Sequence, residues 1–173
     1  ENLRGFNVTI PHKEVAVEFL DAKCPITAHT GVVNTVVRQE DGTLYGYNTD
    51  GVGALHALGD VRGMQCLIIG AGGAARAVTD ALIHGEADKI YILNRSPLRV
   101  EKLLDIFPDG KTAIYTEELL PEMDIVIQAT SISDTIPFDL DLKRLKKDAR
   151  VFEIVMRETA FSKAAADAGL HVI

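Results

Sequence analysis

The segment Gly70-Ala71-Gly72-Gly73-Ala74-Ala75 stands between a short apolar run, Cys66-Leu67-Ile68-Ile69, and a helical pattern that continues to His84. A glycine turn in that position constrains the fold more than any other feature of the chain. Glycines permit a tight strand-to-helix turn and close approach of a phosphate, and the first amides of the helix have no partner within it. In the pattern G-x-G-x-x-A these are the requirements of a dinucleotide pyrophosphate site. Many strand-to-helix turns need glycine for backbone reasons alone, so the next strand has to be read beside it. That strand, 89–93, runs into Asn94-Arg95-Ser96, where a binder of NAD usually carries Asp or Glu. An arginine there suits the 2′-phosphate of NADP rather than a bare ribose hydroxyl.

Beyond Gly59-Asp60, β and helical patterns alternate. Strands are expected at 65–69, 89–93, 112–115, 124–128, 151–155 and 170–173, and helices at 74–84, 97–107, 141–147 and 160–168. Such alternation predicts an α/β fold, a Rossmann-like doubly wound parallel sheet with helices on its faces. Ser96 can cap the helix that Pro97 opens, and Val100, Leu103, Leu104 and Phe107 recur on one face of it.

Residues 1–58 read differently: strand 5–10, helix 11–21, strand 32–38, a turn at Glu40-Asp41-Gly42, strand 43–47 and helix 50–58. Asp41-Gly42 between β-rich runs is a hairpin signal. So few elements cannot enclose a core of their own. The expected organisation is therefore 1–58 as the second half of a smaller α/β substrate-binding domain, followed by 59–173 as the dinucleotide-binding domain. The opening at Glu1, with a strand-like run almost at once, predicts a chain entered in mid-domain.

Composition narrows the function classes. With 47% apolar and 25% charged residues the chain reads as a globular protein, and a net charge of −7 disfavours non-specific nucleic-acid binding. The cluster Lys143, Arg144, Lys146, Lys147 reads as a solvated helix face. Cys24 and Cys66 form no disulfide framework, and the five histidines show no metal-ligand spacing. No apolar stretch approaches a membrane span, so no membrane partner and a cytoplasmic location are expected.

Several polar residues have both a local and a chemical reading. Lys13 is expected in the first turn of a helix begun by Pro11, where a cation opposes the helix dipole, so local stability does not ask for it. Asp50 directly precedes the helical stretch from Val52 and reads locally as an N-cap. Asn34 within Val32–Val37, and Asn7 and Thr9 in the first strand, either face solvent or fill a polar site. Thr130 and Ser131 follow the strand 124–128, at the end where open parallel sheets bind ligands, or simply terminate it.

Taken together, Gly5-Phe6-Asn7-Val8-Thr9-Ile10-Pro11-His12-Lys13, Gly31-Val32-Val33-Asn34-Thr35-Val36, Asn48-Thr49-Asp50-Gly51, the turn 70–75 and Asn94-Arg95-Ser96 resemble the shikimate dehydrogenase family in order and spacing. The resemblance covers nearly the whole chain. It implies NADP-linked interconversion of 3-dehydroshikimate and shikimate, a step toward the aromatic amino acids. It also implies a small-molecule substrate and a monomer or homodimer. Lys13 and Asp50 would be the catalytic pair, with Lys13 moving the proton and Asp50 orienting it. Thr9 and Asn34 would bind substrate hydroxyls. Gly70, Ala71, Gly72, Gly73, Ala74, Asn94, Thr130 and Ser131 would surround the cofactor, and Arg95, Ser96 and Arg99 would clamp its 2′-phosphate. The family's N-terminal serine pair and its C-terminal helix with a substrate-binding glutamine have no counterpart in these residues.

Two segments depart from the family pattern. Gln128-Ala129-Thr130-Ser131-Ile132-Ser133 stands where Asn-Ala-Thr-Ser-x-Gly is usual, and Glu153-Ile154-Val155-Met156-Arg157-Glu158 where Asp-x-x-Tyr-x-Pro is usual. A quinate/shikimate enzyme of relaxed substrate choice and a non-catalytic NADP-binding module are the alternatives they leave.

Overall fold

A computed structural model describes residues 3–173. Two sheets organise the chain. The larger has six strands: β5 (Gln65–Ile69), β6 (Lys89–Leu93), β7 (Thr112–Ile114), β8 (Ile125–Gln128), β9 (Arg150–Glu153) and β10 (His171–Val172). Their spatial order is β10-β9-β8-β5-β6-β7 and every pairing is parallel. The order reverses between β5 and β8, and there the carboxyl ends of the strands open a crevice. The central strands β5 and β8 are buried on both faces, as their near-continuous apolar runs require.

Helices α3 (Gly73–His84) and α4 (Pro97–Ile106) cover one face. There Ile68, Ile90 and Ile92 pack against Val78, Leu82 and Leu103. On the other face α5 (Ala160–Asp167) packs Phe161 and Ala165 toward Leu67, Ile69 and Val126. The expected α/β architecture is thus the observed one. Ser96 occupies the cap position of α4, yet its side chain makes no capping bond. The expected helix at 141–147 is only a 3-10 turn, Leu142–Arg144. Two of the four basic residues there are paired, Arg144 with Glu117 at 2.9 Å and Lys146 with Asp124 at 2.6 Å, while Lys143 and Lys147 are exposed.

The smaller sheet holds β1 (Gly5–Asn7), β2 (Ala22–Lys23), β3 (Thr35–Arg38) and β4 (Leu44–Tyr47) in the order β1-β3-β4-β2. The Asp41-Gly42 hairpin joins β3 to β4, with Gln39 N donating to Thr43 O at 2.8 Å. β2 and the helix α1 (Pro25–Thr30) carry no hydrophobic period, and composition alone does not announce them. What fixes α1 is punctuation: Pro25 at its first position, Cys24 Sγ accepting from Thr27 N, and Gly31 beyond its end at φ 68°.

The expected helix 11–21 is a correction. Residues 11–14 form turns and Val15–Phe19 a 3-10 helix. The reason lies in the Lys13 carbonyl, which accepts from Val33 N at 3.0 Å. An α-helix starting there would need that oxygen for residue 17. Lys13 is consequently not in a first helical turn, and no helix dipole opposes it.

Helix α2 (Asp50–Leu58) leaves the small sheet and packs on α3. Arg150 closes its end, reaching Leu58 O of the helix and donating to Asp60 O just beyond it at 2.8 Å. A second tie is made by α1: His29 Nδ1 is hydrogen-bonded to the buried Asp80 carboxylate of α3 at 2.7 Å.

The two cysteines are free. Burial pushes the Cys66 thiol up to about 12. For Cys24 burial acts in the same direction, but hydrogen bonds from the Thr27 side chain and from the Thr27, Asn48 and Ile26 backbone outweigh it and lower the thiol. Iodoacetamide at neutral pH is therefore expected to alkylate Cys24 at least tenfold faster than Cys66, because thiolate fraction and access both favour it. Equal rates in peptide mass spectra of the native protein contradict this.

Candidate active site

Asp50 opens α2, but it is not the cap. Thr49 holds that position, and the Asp50 carboxylate points away to other partners. Its Oδ2 accepts from Lys13 Nζ at 2.6 Å, across 37 residues of sequence. Its Oδ1 accepts from Asn34 Nδ2 at 2.8 Å. Both oxygens thus have a donor, and the pair is mostly shielded, with the Lys13 side chain 15% and the Asp50 side chain 23% exposed.

Asn34 organises this cluster from the start of β3, where it is buried. Nδ2 also reaches Thr49 Oγ1 at 2.9 Å, while Oδ1 accepts from Thr49 N at 3.1 Å and from Thr35 Oγ1 at 2.9 Å. Every donor and acceptor position of the amide is engaged. Asn48 supports the same corner, its Oδ1 accepting from Asp50 N at 3.0 Å and its amide reaching Val32 O. Asn48 and Thr49 lie in a motif read only for Asp50; their signal was an Asx turn directly before a helix start. Thr9, by contrast, is exposed; its carbonyl accepts from His12 N at 2.8 Å and so closes the turn toward Lys13.

A cleft of about 230 Å³ begins at Lys13 and runs along the carboxyl end of the large sheet. Gly70 to Ala74 form its floor, and Asn94, Arg99, Thr130 and Ser131 line it farther on. Gly70 adopts φ 119°, which turns the chain from β5 toward α3. The amides of Gly73 and Ala74 open α3 and have no acceptor within the helix. Arg99 is exposed at the cleft wall, whereas Arg95 and Ser96 lie beyond its lining. Asn94 Nδ2 donates to Ser96 O at 3.2 Å and shapes the bend from β6 into α4. An open floor of backbone amides, with an arginine on the wall, fits a dinucleotide pyrophosphate and a further phosphate.

The loop carrying Thr130 and Ser131 is shaped by Gln128, the fully buried last residue of β8. Gln128 Oε1 accepts from Thr130 N at 2.7 Å and Nε2 donates to Ile132 O at 2.8 Å. A buried glutamine at a strand end was the available signal for this role. Glu153, at the end of β9, is held above the ordinary carboxylate range by burial, against hydrogen bonds from Thr159 Oγ1 and Val155 N. It serves the start of α5 and does not line the cleft.

Three features place Lys13 and Asp50 against the same helix. A Cβ on Gly73 would lie 3.2 Å from Lys13 Cβ, so the turn carrying the lysine rests directly on the start of α3. A Cβ on Gly51, next to Asp50, would lie 2.3 Å from Ala77 O of that helix. Glu14, beside Lys13, is salt-bridged to Arg76 at 2.9 Å. Residues 73, 76 and 77 share one face of α3.

Comparison with known proteins gives a consistent picture. Residues 53–157 match the shikimate/quinate 5-dehydrogenase family, and residues 1–36 match the shikimate dehydrogenase substrate binding domain. A shikimate dehydrogenase (NADP(+)) of Sphingopyxis alaskensis is 39% identical over 98% of this chain and 64% of its own length. The crystal structure of shikimate dehydrogenase from Aquifex aeolicus superposes with a TM-score of 0.89 at 34% identity, over 98% of this chain and 65% of that one. The Thermus thermophilus enzyme in complex with NADP(H) and shikimate gives a TM-score of 0.84 at 32% identity, covering all of this chain and 67% of that one. The chain thus spans somewhat less than two thirds of the first two relatives. On the family match, the relatives and the shared fold together, this chain belongs to the shikimate/quinate dehydrogenase family.

Proposed function

We propose that the whole protein interconverts shikimate and 3-dehydroshikimate with NADP, and that this chain supplies the proton-transfer pair and the dinucleotide site. The observation that carries the reading is the 2.6 Å contact between Lys13 and Asp50 at the head of the glycine-floored cleft. When bound, the nicotinamide dinucleotide supplies the hydride acceptor for oxidation and the donor for reduction. Relatives named for NADP and for shikimate support the choice of both.

The residues divide the remaining work. Lys13 lines the cleft while Asp50 stands behind it, which supports Lys13 as the group that meets the substrate oxygen. In the reducing direction its ammonium gives a proton to the forming alcohol, and in the oxidising direction the amine takes that proton back. Asp50 fixes where Nζ points, and Asn34 fixes Asp50. Asn34 is spent on holding Asp50 and Thr49, with no hydrogen-bonding position left for a substrate hydroxyl. The exposed Thr9, close in sequence to Lys13, keeps a hydroxyl free for one among the described residues. The amides of 72–74 hold the pyrophosphate, and Thr130 and Ser131 face it across the cleft. Arg99, joined by the exposed side chain of Arg95, receives the 2′-phosphate.

The test is an assay of the full-length protein with shikimate and quinate against NADP and NAD. Turnover of shikimate with NADP is expected. Turnover of quinate alone transfers the assignment to the other substrate of the family, and NADP binding without any turnover makes the protein a binding module. The cofactor choice has its own check. Arg99→Ala and Arg95→Ala are each expected to raise the KM for NADP roughly tenfold or more while leaving NAD within about twofold, since only NADP offers a phosphate to a guanidinium. Equal losses for both cofactors remove the argument.

A further inference from the structure

Arg76 lies in the first turn of α3, where a cation opposes the helix dipole, so local stability gives no reason for it. Its side chain is only 16% exposed, and its Nε is buried without a partner among the described residues. The guanidinium reaches back across 62 residues of sequence to donate from Nη2 to Glu14 Oε2 at 2.9 Å. Glu14 follows Lys13 and lines the same cleft. One turn of α3 earlier, Gly73 lies directly under the Lys13 side chain. The turn that carries the lysine is therefore fastened twice to the dinucleotide helix, by contact at Gly73 and by charge at Arg76. An arginine held there with one nitrogen unpaired is costly to keep half-buried unless the bridge does something the fold alone does not require.

We propose that Glu14 and Arg76 are a positioning pair: they clamp the Lys13 turn to the helix whose start holds the dinucleotide, fixing the distance between the ammonium and the phosphate-binding floor. Neither residue touches the reacting atoms. The inference rests on the function proposed above and deepens it, because it makes the placement of Lys13 depend on the cofactor-binding helix.

The experiment uses the full-length protein with Glu14→Gln, Arg76→Gln and the double variant. Two readouts are taken: steady-state kcat and KM, and the rate at which trinitrobenzenesulfonate labels Lys13, followed by peptide mass. Each single variant is expected to lower kcat about tenfold with both KM values within about twofold, the pattern of a lost alignment rather than lost binding. The double variant should lose no more than either single, because one clamp is removed in all three. Lys13 labelling should quicken about fivefold in Glu14→Gln, as the unfastened turn opens more often and exposes Nζ to the reagent. Unchanged labelling in both singles, or kcat losses that multiply in the double, overturns the proposal. A tenfold rise in the KM for NADP with kcat unchanged in Arg76→Gln also overturns it, by making Arg76 a phosphate ligand. If the wild-type protein turns over neither shikimate nor quinate, the function reading fails, and the labelling rates alone decide the clamp.

Discussion

Replacing Lys13 by alanine in the full-length protein is expected to lower kcat by about 10²- to 10⁴-fold, the range of a lost general acid–base group. Asp50→Ala should fall in the same range, because the ammonium then loses the acceptor that holds it at 2.6 Å. The pair sits at the edge of a cleft and not in a core, so folding should survive. Removing Lys13 leaves Asp50 with its Asn34 bond, and the loss of one charge-assisted hydrogen bond costs about 1.5–3 kcal/mol at most. Circular dichroism and NADP binding should therefore stay close to wild type while turnover collapses. Because the two groups act as a unit, Lys13→Ala/Asp50→Ala should lose little more than either single variant. Wild-type-like kcat in both single variants would remove the proposed roles outright.

The second large effect comes from a residue with no side chain. Gly51→Ala puts a methyl 2.3 Å from the carbonyl oxygen of Ala77, a backbone atom of α3 that cannot rotate aside. Ordinary contact needs about 3.5 Å, so α2 has to move off α3 by about 1 Å at its first turn. Overpacking of this kind costs about 1–3 kcal/mol. The larger consequence is catalytic, because Asp50 is carried on the displaced turn, and a misplacement of about 1 Å can lower kcat on the order of 100-fold. Gly53→Ala on the same helix is the control, since a Cβ there meets nothing within 4 Å among the described residues. It should stabilise the protein by about 0.4–1 kcal/mol and leave kcat unchanged. A Gly51→Ala enzyme that melts and turns over like Gly53→Ala excludes the close crossing of the two helices.

Gly51 and Gly73 illustrate how far the sequence could be read. Gly73 belongs to a turn legible at once, because an apolar run, a glycine turn and a helical period agree locally. Strands β5 and β6 fall at the residues the patterns mark, 65–69 and 89–93, for the same reason. That Gly73 also makes room for Lys13 is invisible in the sequence, since the lysine lies some sixty positions earlier. Gly51 had no local reading at all; its neighbour Asp50 reads as a helix cap, and a cap is a strictly local device. Only the approach of α3 gives the glycine a purpose and turns the carboxylate away from capping.

Residues 11–21 show the converse, a local reading overruled by a distant partner. Apolar spacing there favours a helix, yet Val33 N claims the Lys13 carbonyl and stops an α-helix from forming at that point. Helix α1 was missed because six residues are too few for a hydrophobic period, and its Pro25 and Gly31 boundaries speak only to a reader already expecting a helix.

Sequence alone therefore determined the parallel sheet, the glycine turn and, through five motifs in family order, the residues on which chemistry would rest. These depend on patterns within some twenty residues, where backbone propensity and burial act in concert. Tertiary structure decided everything that joins distant segments: the Lys13–Asp50 contact, the full engagement of Asn34, and the seating of both charged residues on α3. Those are set by which surfaces close on one another, and a charge or an absent side chain carries no local mark of the partner it will meet.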